Sequence, residues 1–250
     1  NVTADAFGLC FKTGNAVILK GGKDAFYSNE AITRIIRGAR EEEQVNPDAV
    51  QLITNNDRSV TTAFMKLKQY VDLLIPRGGA GLIRAVVENS AIPVIETGTG
   101  NCHIYVDEDA DLQKAIPIII NAKTQRIGVC NACESLLVHE KIADSFLPML
   151  GKALQEKKVE IRGDEKVVEQ IPGAVPATEE DYGTEYLDYI VSMKTVVSTK
   201  EAIDHINRYN TRHSDAIITE NDEHAKQFLQ GVDSACVYVN ASTRFTDGFE

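Results

Sequence analysis

Short apolar runs rich in β-branched side chains alternate along this chain with stretches whose apolar residues recur at helical spacing. The runs at 16–19, 50–53, 73–75, 94–95 and 103–106 read as strands. Between them, Ser28 is placed to cap a helix with Ala31, Ile32, Ile35, Ile36 and Ala39 on one face. Asp57 or Ser59 caps a second helix, and a third follows Gly78, Gly79 and Gly81. Farther on, 109–126 reads as helical with Pro117 inside it. Proline removes a backbone donor and clashes with the preceding turn, so a kink or two shorter helices are expected there. A strand at 136–138 leads to a helix over 141–156 that Pro148 interrupts. Strands near 189–197, 216–219 and 235–239 alternate with helices near 200–209 and 221–230, and 170–182 reads as a loop. Parallel strands need long crossovers and helices supply them. The pattern therefore confines the chain to a mostly parallel, helix-covered sheet of the α/β class.

Composition narrows the function classes. The apolar share of 43% is ordinary for a globular protein, and no run of ~18 apolar residues exists to span a membrane. The stretch Asn1-Val2-Thr3-Ala4-Asp5-Ala6 lacks the basic region of a signal peptide. A net charge of −11 argues against nucleic-acid binding through the bulk surface, while leaving room for a local basic pocket. Five scattered cysteines, an odd number, read as the thiols of a reduced cytoplasmic protein rather than as a disulfide framework.

Two features carry chemistry. Glu96 opens Glu96-Thr97-Gly98-Thr99-Gly100-Asn101, and 34 positions later Cys130 opens Cys130-Asn131-Ala132-Cys133-Glu134. A carboxylate on a Gly-rich turn and a thiol beyond the next helix suit covalent thiol catalysis, in which an acyl group on sulfur accepts hydride. Cys130-x-x-Cys133 could also be a redox pair or half a zinc site. A zinc site needs four ligands, and no second paired motif exists. The run Asp107-Glu108-Asp109-Ala110-Asp111 lacks the Gly at 112 and Glu at 118 of a calcium loop. It reads as negative charge around a helix N-terminus. No Gly-x-Gly-x-x-Gly or phosphate-loop fingerprint is present.

The runs Pro76-Arg77-Gly78-Gly79-Ala80-Gly81-Leu82, Asn121-Ala122-Lys123-Thr124-Gln125-Arg126 and Asn240-Ala241-Ser242-Thr243-Arg244-Phe245-Thr246-Asp247-Gly248 resemble the γ-glutamyl phosphate reductase family. This family, also called glutamate-5-semialdehyde dehydrogenase, is a branch of the aldehyde dehydrogenase superfamily. The resemblance implies an aldehyde dehydrogenase-like fold, with a parallel-sheet cofactor domain and an α/β catalytic domain. Residues 1–97 are then expected to be a cofactor-binding domain lacking its N-terminal part, and residues 98–250 a catalytic domain lacking its C-terminal part. It further implies Cys130 as nucleophile, Cys133 as a spectator, and Glu96 as the counterpart of the superfamily's general base. In an acyl-phosphate reductase, Glu96 either assists proton traffic at sulfur or holds its turn.

Lys20 matches the lysine that contacts the adenine ribose. Lys23 replaces an acid found in NAD-selective relatives and is suited to a 2′-phosphate, favouring NADPH. Arg77, Gly78 and Gly79 are expected beside the pyrophosphate, and Glu185 at the nicotinamide ribose. Arg244 is the candidate for a substrate α-carboxylate, aided by Ser242 and Thr243, with His213 at the leaving phosphate. The implied reaction is NADPH-dependent reduction of L-glutamyl 5-phosphate to L-glutamate 5-semialdehyde, through a Cys130 thioacyl intermediate, in proline biosynthesis. A homo-oligomer and association with a glutamate kinase, fused upstream in some relatives, are expectations of the same kind. Two rivals stand: a hydrolytic aldehyde dehydrogenase in which Glu96 activates water, and an inactive interaction module of the same fold.

Overall fold

Among the described residues the strand periodicity resolves into two sheets, both parallel. The structure, a computed structural model, describes residues 2–96 and 98–245, apart from the side chain of Ala80. The chain divides into two compact units, Asn1–Glu96 and Thr97–Glu250.

In the first unit, strands β1 (Val17–Leu19) and β2 (Val50–Leu52) pair with Val17 opposite Val50. Helix α2 (Phe26–Glu42) forms the crossover between them. It begins two residues before Ser28, and no side chain caps it, so the expected Ser28 cap is corrected: that serine lies inside the first turn. Asp57 does cap α3 (Arg58–Phe64), accepting from the Ser59 amide. The runs at 73–75 and 94–95 reduce to one parallel bridge, Leu74 with Val94, ahead of and behind α4 (Ala80–Asn89). A helix not foreseen, α1 (Val2–Lys12), packs its Phe11 ring against the Arg40 guanidinium of α2 at 4.3 Å. That contact is tertiary, and no clean apolar stripe announces it.

The described residues of the second unit form seven strands: β3 (Cys102–Val106), β4 (Cys133–His139), β5 (Glu160–Gly163), β6 (Val175–Pro176), β7 (Ile190–Val196), β8 (Ser214–Ile218) and β9 (Cys236–Val239). Their spatial order is β6-β5-β7-β4-β3-β8-β9, and every pairing is parallel. The central strands β3 and β4 are buried at every residue, as parallel strands covered on both faces must be. Alternation along them sorts the core. Ile104, Val106, Leu136 and Val138 face α5 (Leu112–Thr124) and α6 (Glu140–Glu156), meeting Ile119, Phe146, Leu147 and Leu150. Tyr105, Leu137 and Ile217 face the other way, onto Ile203 and Ile206 of α8 (Thr199–Tyr209) and Phe228 of α9 (Asp222–Gly231).

Neither proline divides its helix. α5 runs through Pro117 and α6 through Pro148 as single elements, because burial of one face of each helix outweighs one missing backbone bond. Helix α7 (Glu165–Gln170), strand β5 and the two-residue strand β6 were not foreseen, and β6 lies inside the expected 170–182 loop. Asp164 caps α7 through the Val167 amide and also accepts from the Thr195 amide and hydroxyl, so one carboxylate ties helix to strand. Asp111 is the N-cap of α5, consistent with acidic residues gathered at a helix start. Among the described residues no helix is long and apolar enough to cross a membrane.

Candidate active site

In a parallel sheet all strands begin along one edge, so the loops entering β3, β4, β7 and β8 share that edge. These loops carry Gly98 to Asn101, Cys130 and Asn131, Glu185 to Leu187, and Thr211 to His213.

Cys130 lies in the loop between α5 and β4 and is exposed to solvent, whereas Cys102 and Cys133 are buried. None of the five cysteines is in a disulfide. Burial pushes the Cys133 thiol up to about 12, and that thiol donates to the Ser135 carbonyl at 3.3 Å. Cys102 is raised well above the ordinary thiol range, again by burial, and its thiol donates to the Cys130 carbonyl at 3.2 Å. Both buried thiols are therefore neutral, and that of Cys102 braces the loop on which the accessible one sits.

Gly100 explains why that loop can be held so closely. A Cβ at this position would overlap the carbonyl oxygen, carbonyl carbon and Cα of Cys130, so only glycine fits. The Gly100 amide donates to Glu185 Oε1 at 2.7 Å. The neighbouring Asn101 amide donates to Thr211 Oγ1 at 2.9 Å, and the Asn101 side-chain amide donates to the carbonyls of Tyr182 and Tyr209. On the other side of Cys130, the Thr243 hydroxyl donates to the Asn131 carbonyl at 2.8 Å. That bond fastens the turn after β9 to the cysteine loop.

Arg244, next in the chain, has its Nε buried with no hydrogen-bond partner among the described residues. Ser242 is buried and its hydroxyl accepts from the Arg244 amide at 3.3 Å. His213 is half-buried, with Nδ1 2.8 Å from Ser214 Oγ. Cys130, Glu185, Ser242, Thr243, Arg244 and His213 thus all belong to the second unit. The remaining candidates belong to the first. Lys20, at the end of β1, donates to the Gly21 carbonyl at 2.9 Å, and Lys23 is exposed. Arg77 and Gly78 are exposed, and Gly79 is the N-cap of α4, where no side chain occupies the cap. Glu96, exposed, is the last residue of that unit; Thr97 and residues 246–250, including Thr246, Asp247 and Gly248 of the third motif, lie outside the described residues.

Several buried charged residues of the second unit were not singled out from the sequence. Lys123 and Glu134 are both fully buried and pair at 2.5 Å. Burial pushes the Glu134 carboxyl up to about 7, against the pull of the Lys123 ammonium. Asp215, also buried, accepts from the His103 amide at 2.7 Å, from the Asn210 side chain at 3.0 Å and from the Ser234 hydroxyl. A signal for Lys123 was present: Ala115, Ile119 and Ala122 mark the buried stripe of α5, and helical spacing puts Lys123 on it.

An accessible thiol between strand-entering loops of an all-parallel α/β unit defines a class, and comparison with known proteins agrees. The aldehyde dehydrogenase family model matches residues 1–178, and the chain belongs to that family. Within it, the chain is 58% identical to γ-glutamyl phosphate reductase of Lachnospira eligens over 250 residues, covering all of this chain and 60% of the relative. It is 60% identical to the enzyme of the same name from Moorella thermoacetica, again over 60% of that protein. The crystal structure of γ-glutamyl phosphate reductase from Thermotoga maritima superposes with a TM-score of 0.93 at 54% identity, covering 99% of this chain and 60% of that one. The chain therefore spans about 60% of the length of the relatives it matches.

Proposed function

We propose that this chain carries the nucleophile and part of the cofactor site of an NADPH-dependent γ-glutamyl phosphate reductase, which reduces L-glutamyl 5-phosphate to L-glutamate 5-semialdehyde for proline biosynthesis. The names of its relatives support the substrate. The observation that carries the reading is the Thr243–Asn131 hydrogen bond, which joins the Arg244 turn to the Cys130 loop. An amino-acid head group and a reactive acyl carbon must be held together, and this bond couples the residues suited to each task.

In this reading the Cys130 thiolate attacks the acyl carbon, and the bond to phosphate breaks to leave a thioester. Arg244, whose buried Nε has no partner among the described residues, meets the α-carboxylate, and Ser242 and Thr243 fix its turn. His213 stands for the departing phosphate. Glu96 assists proton traffic or holds its turn. The first unit fits a phosphorylated dinucleotide. Gly79 leaves the start of a ten-residue helix open to a pyrophosphate, beside Arg77 and Gly78, and the exposed Lys23 suits a 2′-phosphate with Lys20 at the adenine ribose. Glu185 has one carboxylate oxygen engaged by Gly100, leaving the other for the nicotinamide ribose. When bound, the reduced nicotinamide supplies the hydride that takes the thioester to the aldehyde level. A reduced cytoplasmic setting, a homo-oligomer and association with a glutamate kinase complete the proposal. Co-purification and light scattering test the last two.

The deciding assay uses the full-length protein that contains this chain. NADP-linked oxidation of glutamate semialdehyde should require inorganic phosphate, and Cys130→Ser should abolish it. Turnover without phosphate would favour the hydrolytic reading, and absence of NADPH binding by calorimetry would favour the inactive module.

A further inference from the structure

The Lys123–Glu134 pair sits where no charge is needed to hold a core. Both side chains are completely buried, on α5 and β4, with apolar neighbours Ala122 and Cys133 adjacent in sequence. Burying an ion pair is seldom a gain in stability over apolar packing, so its presence calls for another explanation. Its connections supply one. Glu134 Oε2 receives the Lys123 ammonium at 2.5 Å, and Glu134 Oε1 accepts the Leu187 amide at 3.2 Å. Leu187 has a φ of +53°, a left-handed conformation that a leucine rarely adopts without something to hold it. Two residues before it, Glu185 Oε1 accepts the Gly100 amide at 2.7 Å, and Gly100 lies directly against the Cys130 backbone. A continuous path thus runs from the buried pair, through 185–187 and Gly100, to the nucleophile's loop.

We propose that Lys123 and Glu134 are positioning residues for the Cys130 thiol, acting through the Leu187 amide, Glu185 and Gly100 rather than by touching substrate or cofactor. The inference rests on the reading of Cys130 as nucleophile, but its test does not need that reading to hold. In the full-length protein, the Cys130 alkylation rate with iodoacetamide is followed by peptide mass spectrometry from pH 6 to 10, alongside amide exchange at Gly100 and Leu187.

The double variant Lys123→Met/Glu134→Leu removes both charges and keeps volume in the core. It is expected to fold, to lose protection at Leu187 and Gly100 together, and to alkylate about tenfold more slowly, with kcat falling at least as far and KM little changed, as expected when a reacting group is misplaced. A folded double variant whose alkylation and kcat stay within about twofold of wild type overturns the proposal. Glu134→Gln keeps the shape and an acceptor for Leu187, and covers the case in which the double variant does not fold. It should retain Leu187 protection and an alkylation rate within about threefold of wild type, and a tenfold loss with Leu187 still protected overturns the proposal equally. Alkylation needs no substrate. A wild-type protein silent in the acyl-phosphate assay, yet showing this loss on substitution, would sink the proposed function and leave the positioning role standing.

Discussion

Gly100 and Cys130 meet backbone to backbone, and the contact admits no side chain. Gly100→Ala is therefore expected to displace the cysteine loop, lowering kcat by about 100-fold if the thiol moves by an ångström. Steady-state kinetics beside a thermal melt will separate this from unfolding. Lys23 offers a second residue-scale expectation. If it pairs with a 2′-phosphate, Lys23→Glu should cut the preference for NADPH over NADH by about tenfold or more, the worth of one charge-assisted bond, as read from the ratio of kcat/KM values.

A third expectation concerns pH. Burial alone would raise the Asp107 carboxyl, but Thr219, His224 and Tyr105 donate to it and hold it below its ordinary value. The hydrogen bond to Asp107 raises His224 above its ordinary 6.5. A raised histidine stabilises the fold fully below its unfolded value and loses that contribution as pH rises through the folded one. The melting-temperature gap between wild type and His224→Gln should accordingly be widest near pH 6 and shrink toward pH 9.

At the scale of elements, local chemistry and tertiary packing divide the work differently from helix to helix. α8 is started by Ser198, whose hydroxyl accepts the Glu201 amide, while Glu201 reaches back to the Val197 amide at 2.8 Å. Ser198→Ala should cost about 1 kcal/mol in denaturant melts, with m unchanged. Its face of Ala202, Ile203 and Ile206 recurs at helical spacing, which is why α8 could be foreseen. α5 and α6 show the opposite case. Read locally, Pro117 and Pro148 divide these helices, yet each stays whole because its buried stripe has a sheet to lie on. α1 is legible in neither way, since it leans on an arginine of the next helix.

Across the whole chain, the second unit shares one pair of fully buried strands between two cores, so damage to either face should be felt throughout it. Phe146→Ala, on the α6 side, is expected to cost about 3–5 kcal/mol. The loss should appear equally in probes reporting on α6 and on α8, measured by hydrogen exchange. The amino-acid order alone was enough for the parallel α/β class, for the strand at 103–106 and for most strands after 190. Each of these rests on periodicity or on a local motif, which a linear reading contains. Which thiols are buried, that Gly100 abuts Cys130, that Thr243 ties the Arg244 turn to Asn131, and that Lys123 meets Glu134 were decided only by the folded chain. These partners lie 11 to 112 positions apart, and only the folding of the second unit brings them within bonding distance.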